Sequence, residues 1–153
     1  MRSYIKNELI SEYSIKEAEN GLEGLEKASK YMPDIIITDV QMPIKNGLDM
    51  IHDIRKFDDD ISILIISAHN NSDYFMDMIR YGIDGYLVKP LEYEQFITTL
   101  LKATQKVVLR KENDMYKRDL ELKVVEKTSQ LEHKYNTDEL TGLKNRYTLL
   151  KDI

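Results

Sequence analysis

The chain has 153 residues, 42% apolar and 32% charged, with no apolar run near the roughly eighteen residues that cross a bilayer and no signal-peptide centre in MRSYIKNELISEYS, so a cytoplasmic domain with an exposed appendage and no membrane partner is expected. The absence of cysteine excludes disulfides and thiolate metal sites, and His52, His69 and His133 are not spaced as ligands. The net charge of -5 is uneven, with 10 basic and 18 acidic side chains in residues 1–100 against 12 and 9 in residues 101–153, and no basic patch interleaved with aromatics marks a nucleic-acid partner.

The opening stretch sets Ile5 and Leu9 at helical spacing. YSIKEA (Tyr13–Ala18) then reads as a strand, and Leu22, Leu25, Ala28 and Met32 recur at three to four residues as a helix. DIIITD (Asp34–Asp39) and ISILIIS (Ile61–Ser67) are nearly continuous Ile and Leu, which suits strands covered on both faces. A helical pattern of Leu48, Met50, Ile51, Ile54 and Phe57 separates them. Phe75, Met78, Ile79 and Gly82 form the next helical pattern, before a strand at GYLVK (Gly85–Lys89). Turns are expected at Asn20–Gly21, Asn46–Gly47, Asp58–Asp60 and Gly82–Gly85. Strands alternating with helices predict an α/β, doubly wound parallel sheet.

In such sheets functional groups gather beyond the carboxyl ends of the strands. Asp39, Ser67 and Lys89 each close a predicted strand, so a carboxylate, a hydroxyl and an ammonium converge on one edge. A plain Asp–Lys salt bridge beside a strand-end serine accounts for such a trio. Phosphoryl transfer accounts for it as well: the carboxylate attacks phosphorus in line, the lysine balances charge and the hydroxyl donates to a phosphoryl oxygen. Mg²⁺ takes an octahedral set of oxygens, of which Asp39 supplies a beginning.

DIIITDVQMPIKNG, ILIISAH and GYLVKPL, in this order and spacing, resemble the response-regulator receiver domain of two-component signalling, a flavodoxin-like fold. The resemblance implies that Asp39 is the phospho-acceptor for a sensor histidine kinase and that Ser67 and Tyr86 form the switch. It further implies that Lys89 is the phosphoryl-binding lysine before a cis Lys89–Pro90 bond, and that Asp39 and the backbone carbonyl of Gln41 are metal ligands. Pro43 and Gly47 match the turn into the following helix, and His69 falls where family members vary in how fast the acyl phosphate hydrolyses. Receivers begin with an apolar strand ending in an acidic pair that holds Mg²⁺, whereas this chain begins in the next helix. A truncated receiver lacking its first, central strand is therefore expected. The alternative is a pseudo-receiver that dimerises without phosphotransfer. A flavodoxin-like flavin binder is disfavoured because no loop is rich in Ser, Thr and Gly.

After Pro90 the chain has no glycine or proline until Gly142 and is rich in Lys, Glu and Leu. One helix from about Glu92 to about Tyr135 is expected, with Phe96, Ile97, Leu100 and Leu101 packing on the domain. Leu101, Val108, Met115 and Leu122 repeat at seven, and Val124, Leu131 and Tyr135 continue on a shifted phase, which predicts a parallel coiled-coil homodimer. Thr104, Lys111 and Arg118 at the alternate core positions fit a solvated single helix as well. TDELTGLKNR (Thr137–Arg146) resembles the opening motif of GGDEF diguanylate cyclase domains, through Asp138, Leu140, Thr141, Gly142, Leu143, Asn145 and Arg146. That resemblance implies a parent protein that converts GTP into cyclic di-GMP, with Asn145 at the guanine base. The expected organisation is a receiver over residues 1–103, a signalling helix over 104–136 and the start of a GGDEF domain over 137–153. This chain is not itself expected to be an enzyme.

Overall fold

The structure is a computed structural model that describes residues 13–68 and 75–136. The elements run α1 (Gly21–Tyr31), β1 (Ile35–Asp39), α2 (Gly47–Ile54), β2 (Ser62–Ser67), α3 (Phe75–Arg80), β3 (Gly85–Val88) and α4 (Tyr93–Asn136). The strands form one parallel sheet in the order β1-β2-β3, with Asp39 opposite Ile66 and Ser67 opposite Val88.

Strand β2 explains the sheet's composition. It lies between its two neighbours and is covered on both faces, so every one of its residues is buried and neither side of its alternation can be polar. Ile63 and Ile65 join Ala28 of α1 and Met50, Ile51 and Ile54 of α2 in one cluster. Leu64 and Ile66 join Leu87 of β3 and Phe96, Leu100 and Ala103 of α4 in the other. This is the expected doubly wound layout, and each fully buried Ile or Leu contributes about 1.5–3 kcal/mol of transfer free energy.

The Asn–Gly pairs do not make free turns. Asn20 is the N-cap of α1, its side chain accepting from Leu22 N and Glu23 N at 3.1 and 3.0 Å, and Asn46 caps α2 through Asp49 N at 2.8 Å. Each Asn satisfies amides that the first helical turn leaves without partners. Each Gly serves close approach, since a Cβ on Gly21 would sit 2.3 Å from the Lys45 carbonyl oxygen and one on Gly47 would sit 2.1 Å from that of Asp39. Helix α1 ends at Met32, in the left-handed region at φ 45°, just before Pro33.

The strand expected at Tyr13–Ala18 is not formed, so among the described residues the sheet has three strands rather than four. Alternation of apolar and polar residues selects a face, but a strand exists only through ladder bonds to a neighbour, and no described strand pairs with this segment. Its described contacts are instead a Lys27 ammonium that donates to the Glu17 carbonyl, a Tyr13–Thr104 hydroxyl pair at 3.3 Å, and Lys16 Nζ lying 5.2 Å over the Tyr31 ring. The segment before it, with Ile5 and Leu9, lies outside the described residues.

Helix α4 belongs to two compact units, divided between Val107 and Val108. Phe96, Leu100, Ala103 and Val107 are buried on one side of that division, whereas Val108, Met115, Leu122 and Leu131 are exposed on the other. No helix among the described residues is long and apolar enough to cross a membrane.

Candidate functional site

The parallel register delivers three chemically active residues to the carboxyl edge of the sheet. Asp39 ends β1, Ser67 ends β2 opposite Val88, and Lys89 follows β3 directly, its backbone N–H donating to the Ser67 carbonyl at 2.8 Å. The Lys89–Pro90 peptide is cis. Lys89 Nζ donates to Asp39 Oδ2, both side chains being about one-third exposed. Asp39 Oδ1 accepts from Gln41 N at 3.0 Å, which turns the chain sharply out of the strand. Ser67 is buried, and Tyr86, opposite Ile65, is half-buried against the cluster that holds Ile63 and Ile65.

The loop from Val40 to Asn46 is held from several sides. Gly47 N donates to the Val40 carbonyl at 2.9 Å, closing the loop on itself, and Gly21 N donates to the Lys45 carbonyl at 3.1 Å. Lys45 Nζ and Lys56 Nζ both donate to Asp53 of α2, and these two ammonium groups, Lys45 foremost, hold the Asp53 carboxyl down at about 2. At the apex, Lys45 N donates to the Pro43 carbonyl at 2.7 Å across Ile44, whose φ is 67°. That is a γ-turn, and a β-branched residue at positive φ is strained there. Ile44 is also 80% exposed, so packing does not offset the cost. Beside the loop lies a hollow of about 570 Å³ lined by Gln41, Met42, Leu48, Asp49 and Tyr81, among others.

Two residues that sequence patterns do not single out hold the opposite, amino edge of the sheet. Asp84 Oδ2 accepts from Ser62 Oγ at 2.7 Å and from Ile63 N at 3.1 Å, and Oδ1 accepts from Lys106 of α4. Burial raises its carboxyl pKa, but the Lys106, Ser62 and Ile63 donors together outweigh that and leave it lowered. Arg55, just past α2, donates to the carbonyls of Tyr81, Ile61, Asp58 and Gly82 at 2.8–3.3 Å, stitching α2 to the turns before β2 and β3. An Asp immediately before a strand was the only local sign of the first, and nothing local marks the second.

Of the expected site residues, the structure brings Asp39 and Lys89 into contact, sets Ser67 at the neighbouring strand end and Gln41 two residues beyond β1, and places Tyr86 within β3, three residues before Lys89. His69, Asp138, Asn145 and Arg146 lie outside the described residues. For Mg²⁺, the described donors are the Asp39 carboxylate and the Gln41 carbonyl, and among the described residues no three or more His, Cys, Asp or Glu side chains are placed to hold a metal ion together. These two donor groups fall short of the six oxygens that Mg²⁺ takes, so the described residues do not by themselves make its site.

The family model described as the response regulator receiver domain matches residues 1–101. The chemotaxis protein CheY of Halobacterium salinarum is 32% identical over 93 residues, covering 60% of this chain and 78% of its own length. The transcriptional regulatory protein YesN of Bacillus subtilis is 29% identical over 133 residues, covering 87% of this chain, which spans only 33% of that relative. Among solved structures, the response regulator TrrA of Thermotoga maritima, in complex with Mg²⁺ and BeF, is similar at 33% identity and a TM-score of 0.58, over 67% of this chain and 88% of that one.

Proposed function

The chain belongs to the response regulator receiver domain family, and from that premise we propose that Asp39 accepts a phosphoryl group from a sensor histidine kinase. The observation that carries the reading is the contact of Lys89 with Asp39 at the carboxyl edge of the sheet, beside Ser67. An oxygen of the Asp39 carboxylate attacks phosphorus of a phosphohistidine in line, forming the P–O bond of an acyl phosphate as the P–N bond breaks and the imidazole leaves. Lys89 is already paired with that carboxylate and moves onto the added negative charge, and the Ser67 hydroxyl donates to a phosphoryl oxygen. Tyr86, one residue from Leu87 in β3, follows Ser67 inward as the second half of the switch. Of the described residues, Asp39 and the Gln41 carbonyl would contribute to holding Mg²⁺, which would supply neutralisation of charge on the transferred group.

The relatives bear different names, one a chemotaxis protein and one a transcriptional regulator. The output assigned here, a diguanylate cyclase that joins two GTP into cyclic di-GMP, stands on Asp138, Asn145 and Arg146 in the TDELTGLKNR motif. On this reading residues 1–103 are the receiver, 104–136 a dimeric signalling helix and 137–153 the beginning of the output, with no nucleic-acid partner. Wild-type chain incubated with Mg²⁺ and phosphoramidate should gain one phosphoryl group by intact mass, and Asp39→Asn should gain none. A longer chain with its output should raise cyclic di-GMP synthesis under the same donor only when Asp39 is present.

A second reading is favoured by the short donor set around Asp39 among the described residues: a pseudo-receiver that serves as a dimerisation scaffold. Wild-type protein that neither gains mass nor changes its melting temperature with Mg²⁺ and beryllofluoride would establish that reading in place of the first.

A further inference from the structure

Beyond Val107 the described part of α4 has two apolar stripes, which differ in the charges at their alternate core positions. Val108, Met115 and Leu122 repeat at seven and are 48, 69 and 70% exposed; Leu109 and Tyr116 repeat beside them and are 58 and 75% exposed. The residues between them repeat as well: VLRKEND is followed by MYKRDLE, so Val108 and Met115 each precede a base by three and acids by four and six. With Val108, Met115 and Leu122 as a positions, Lys111 and Arg118 fall at d, Glu112, Asp119 and Glu126 at e, and Asp114 and Glu121 at g.

We propose that residues 108–128 pair with a second copy of the chain in a parallel, in-register coiled coil along Val108, Met115, Leu122 and Val125, in which Lys111 and Arg118 meet Glu112 and Asp119 of the other copy. This deepens, and rests on, the dimeric signalling helix assigned above. In a parallel dimer the d side chain enters a hole bordered by the partner's e residue, so each of these bases lies against an acid across the axis. The neighbouring stripe gives the opposite result. With Leu109 and Tyr116 at a, the d positions become Glu112, Asp119 and Glu126, and of the e neighbours Asn113, Leu120 and Lys127 only the last is a base, so two acidic layers of a symmetric dimer go unpaired, whereas Lys111 and Arg118 in the first register each have an acid at e. The bases at d therefore carry the register, because without them the acids at g, Asp114 and Glu121, face only acids at e of the other copy, Asp119 and Glu126.

Exchangeable surface pairs do not oppose this. Asp119 pairs with Lys123 at 2.7 Å within the helix, and both side chains are at least 60% exposed, so the carboxylate keeps room for a second cation. The seam differs from one built of Leu and Ile throughout, because its two charged layers hold together only while the ion pairs do. Such a seam is weak and salt-sensitive, and both properties suit a helix that passes on a change from one end to the other.

The chain has no cysteine, which makes the test direct. Single-cysteine variants Met115→Cys and Leu122→Cys should both form disulfide-linked dimers under mild oxidation, whereas Tyr116→Cys and the outward Asn113→Cys should not. An antiparallel pair would link at no more than one of Met115→Cys and Leu122→Cys, and either that outcome or efficient linking at Tyr116→Cys overturns the register while leaving a dimer intact. A chain that sediments as a monomer at all concentrations overturns the dimer as well. Lys111→Glu with Arg118→Glu should weaken association at least tenfold, and adding Glu112→Lys with Asp119→Lys should restore it. Failure of that restoration overturns the proposed ion pairs. None of these readouts depends on phosphotransfer.

Discussion

The sheet has a carboxylate–lysine pair at each end, and the two are built to different purposes. At the amino edge, Asp84 is 12% exposed and accepts from Ser62 Oγ, Ile63 N and Lys106, so its carboxylate is saturated and fixes where β2, β3 and α4 begin their packing. At the carboxyl edge, Asp39 is 29% exposed and accepts from Lys89 and one loop amide. A carboxylate with lone pairs left facing solvent can meet an incoming phosphorus; one enclosed by donors cannot. Both pairs look alike as an Asp and a Lys, and the difference lies in the donors around them.

Looseness at Asp39 is confined to its side chain, and the largest expected effect tests that statement. Gly47→Ala would drive a methyl group to within 2.1 Å of the Asp39 carbonyl oxygen, against backbone that the Gly47–Val40 hydrogen bond holds in place. Destabilisation of about 3 kcal/mol in urea unfolding is expected. A change under about 1 kcal/mol would mean that the whole edge yields and that the comparison overstates its rigidity. Next in size is Asp84→Ala, which strands a buried hydroxyl and a strand amide and should cost about 2 kcal/mol. Asp39→Asn breaks a pair that is about one-third exposed on both sides and should cost under about 1 kcal/mol, while removing phosphorylation. Equal stability losses at the two sites would erase the distinction between them.

Acid should separate them further. The folded-state pKa of Asp84 lies below its ordinary value of 3.8, and that of Asp53, held by Lys45 and Lys56, lies at about 2. Groups with lowered values stabilise the fold fully above the ordinary carboxylate range and lose that contribution as pH falls towards the folded values. Melting temperature should therefore decline below about pH 4, and Asp84→Ala should flatten part of that decline. A variant that declines as steeply as the wild type would remove Asp84 from the account. Asp53 is expected to contribute less, since its own side chain is more exposed than that of Asp84.

Much of the carboxyl edge was legible because parallel strands place their last residues together, and Asp39, Ser67 and Lys89 each follow an apolar run that no helix could hide. The same logic failed at Tyr13–Ala18. Its alternation is genuine, yet pairing is a property of two segments, and one segment cannot announce its neighbour. Asn–Gly at 20–21 and at 46–47 is a turn pair in sequence, and only the helices that follow reveal Asn20 and Asn46 as caps. Asp84 and Arg55 were hidden for a third reason: apart from the Asp58 and Ile61 carbonyls beside Arg55, their partners lie 21 to 27 residues away, from Ser62, Ile63 and Lys106 to Tyr81 and Gly82, beyond the reach of a local pattern. Site chemistry written into strand ends was readable, and the braces that make those ends coincide were not.

The smallest expected effect has the opposite sign. Ile44 occupies a γ-turn at φ 67° with 80% of its surface exposed, so it bears a left-handed penalty without the burial that would repay an isoleucine. Ile44→Gly removes the clash between Cβ and the backbone but adds freedom to the unfolded chain, and these two terms partly cancel. A net gain of about 0.5–1 kcal/mol is expected by urea unfolding. Because the turn lies beside Asp39 and shares its loop, the gain also bears on the comparison. If the turn is strained only locally, Ile44→Gly should stabilise the fold and leave the rate of phosphoryl gain from phosphoramidate unchanged. If the strain instead helps to hold Gln41 N against Asp39, phosphoryl gain should slow as stability rises, and the carboxyl edge would then owe its open carboxylate to a cost borne three residues beyond the Gln41 amide.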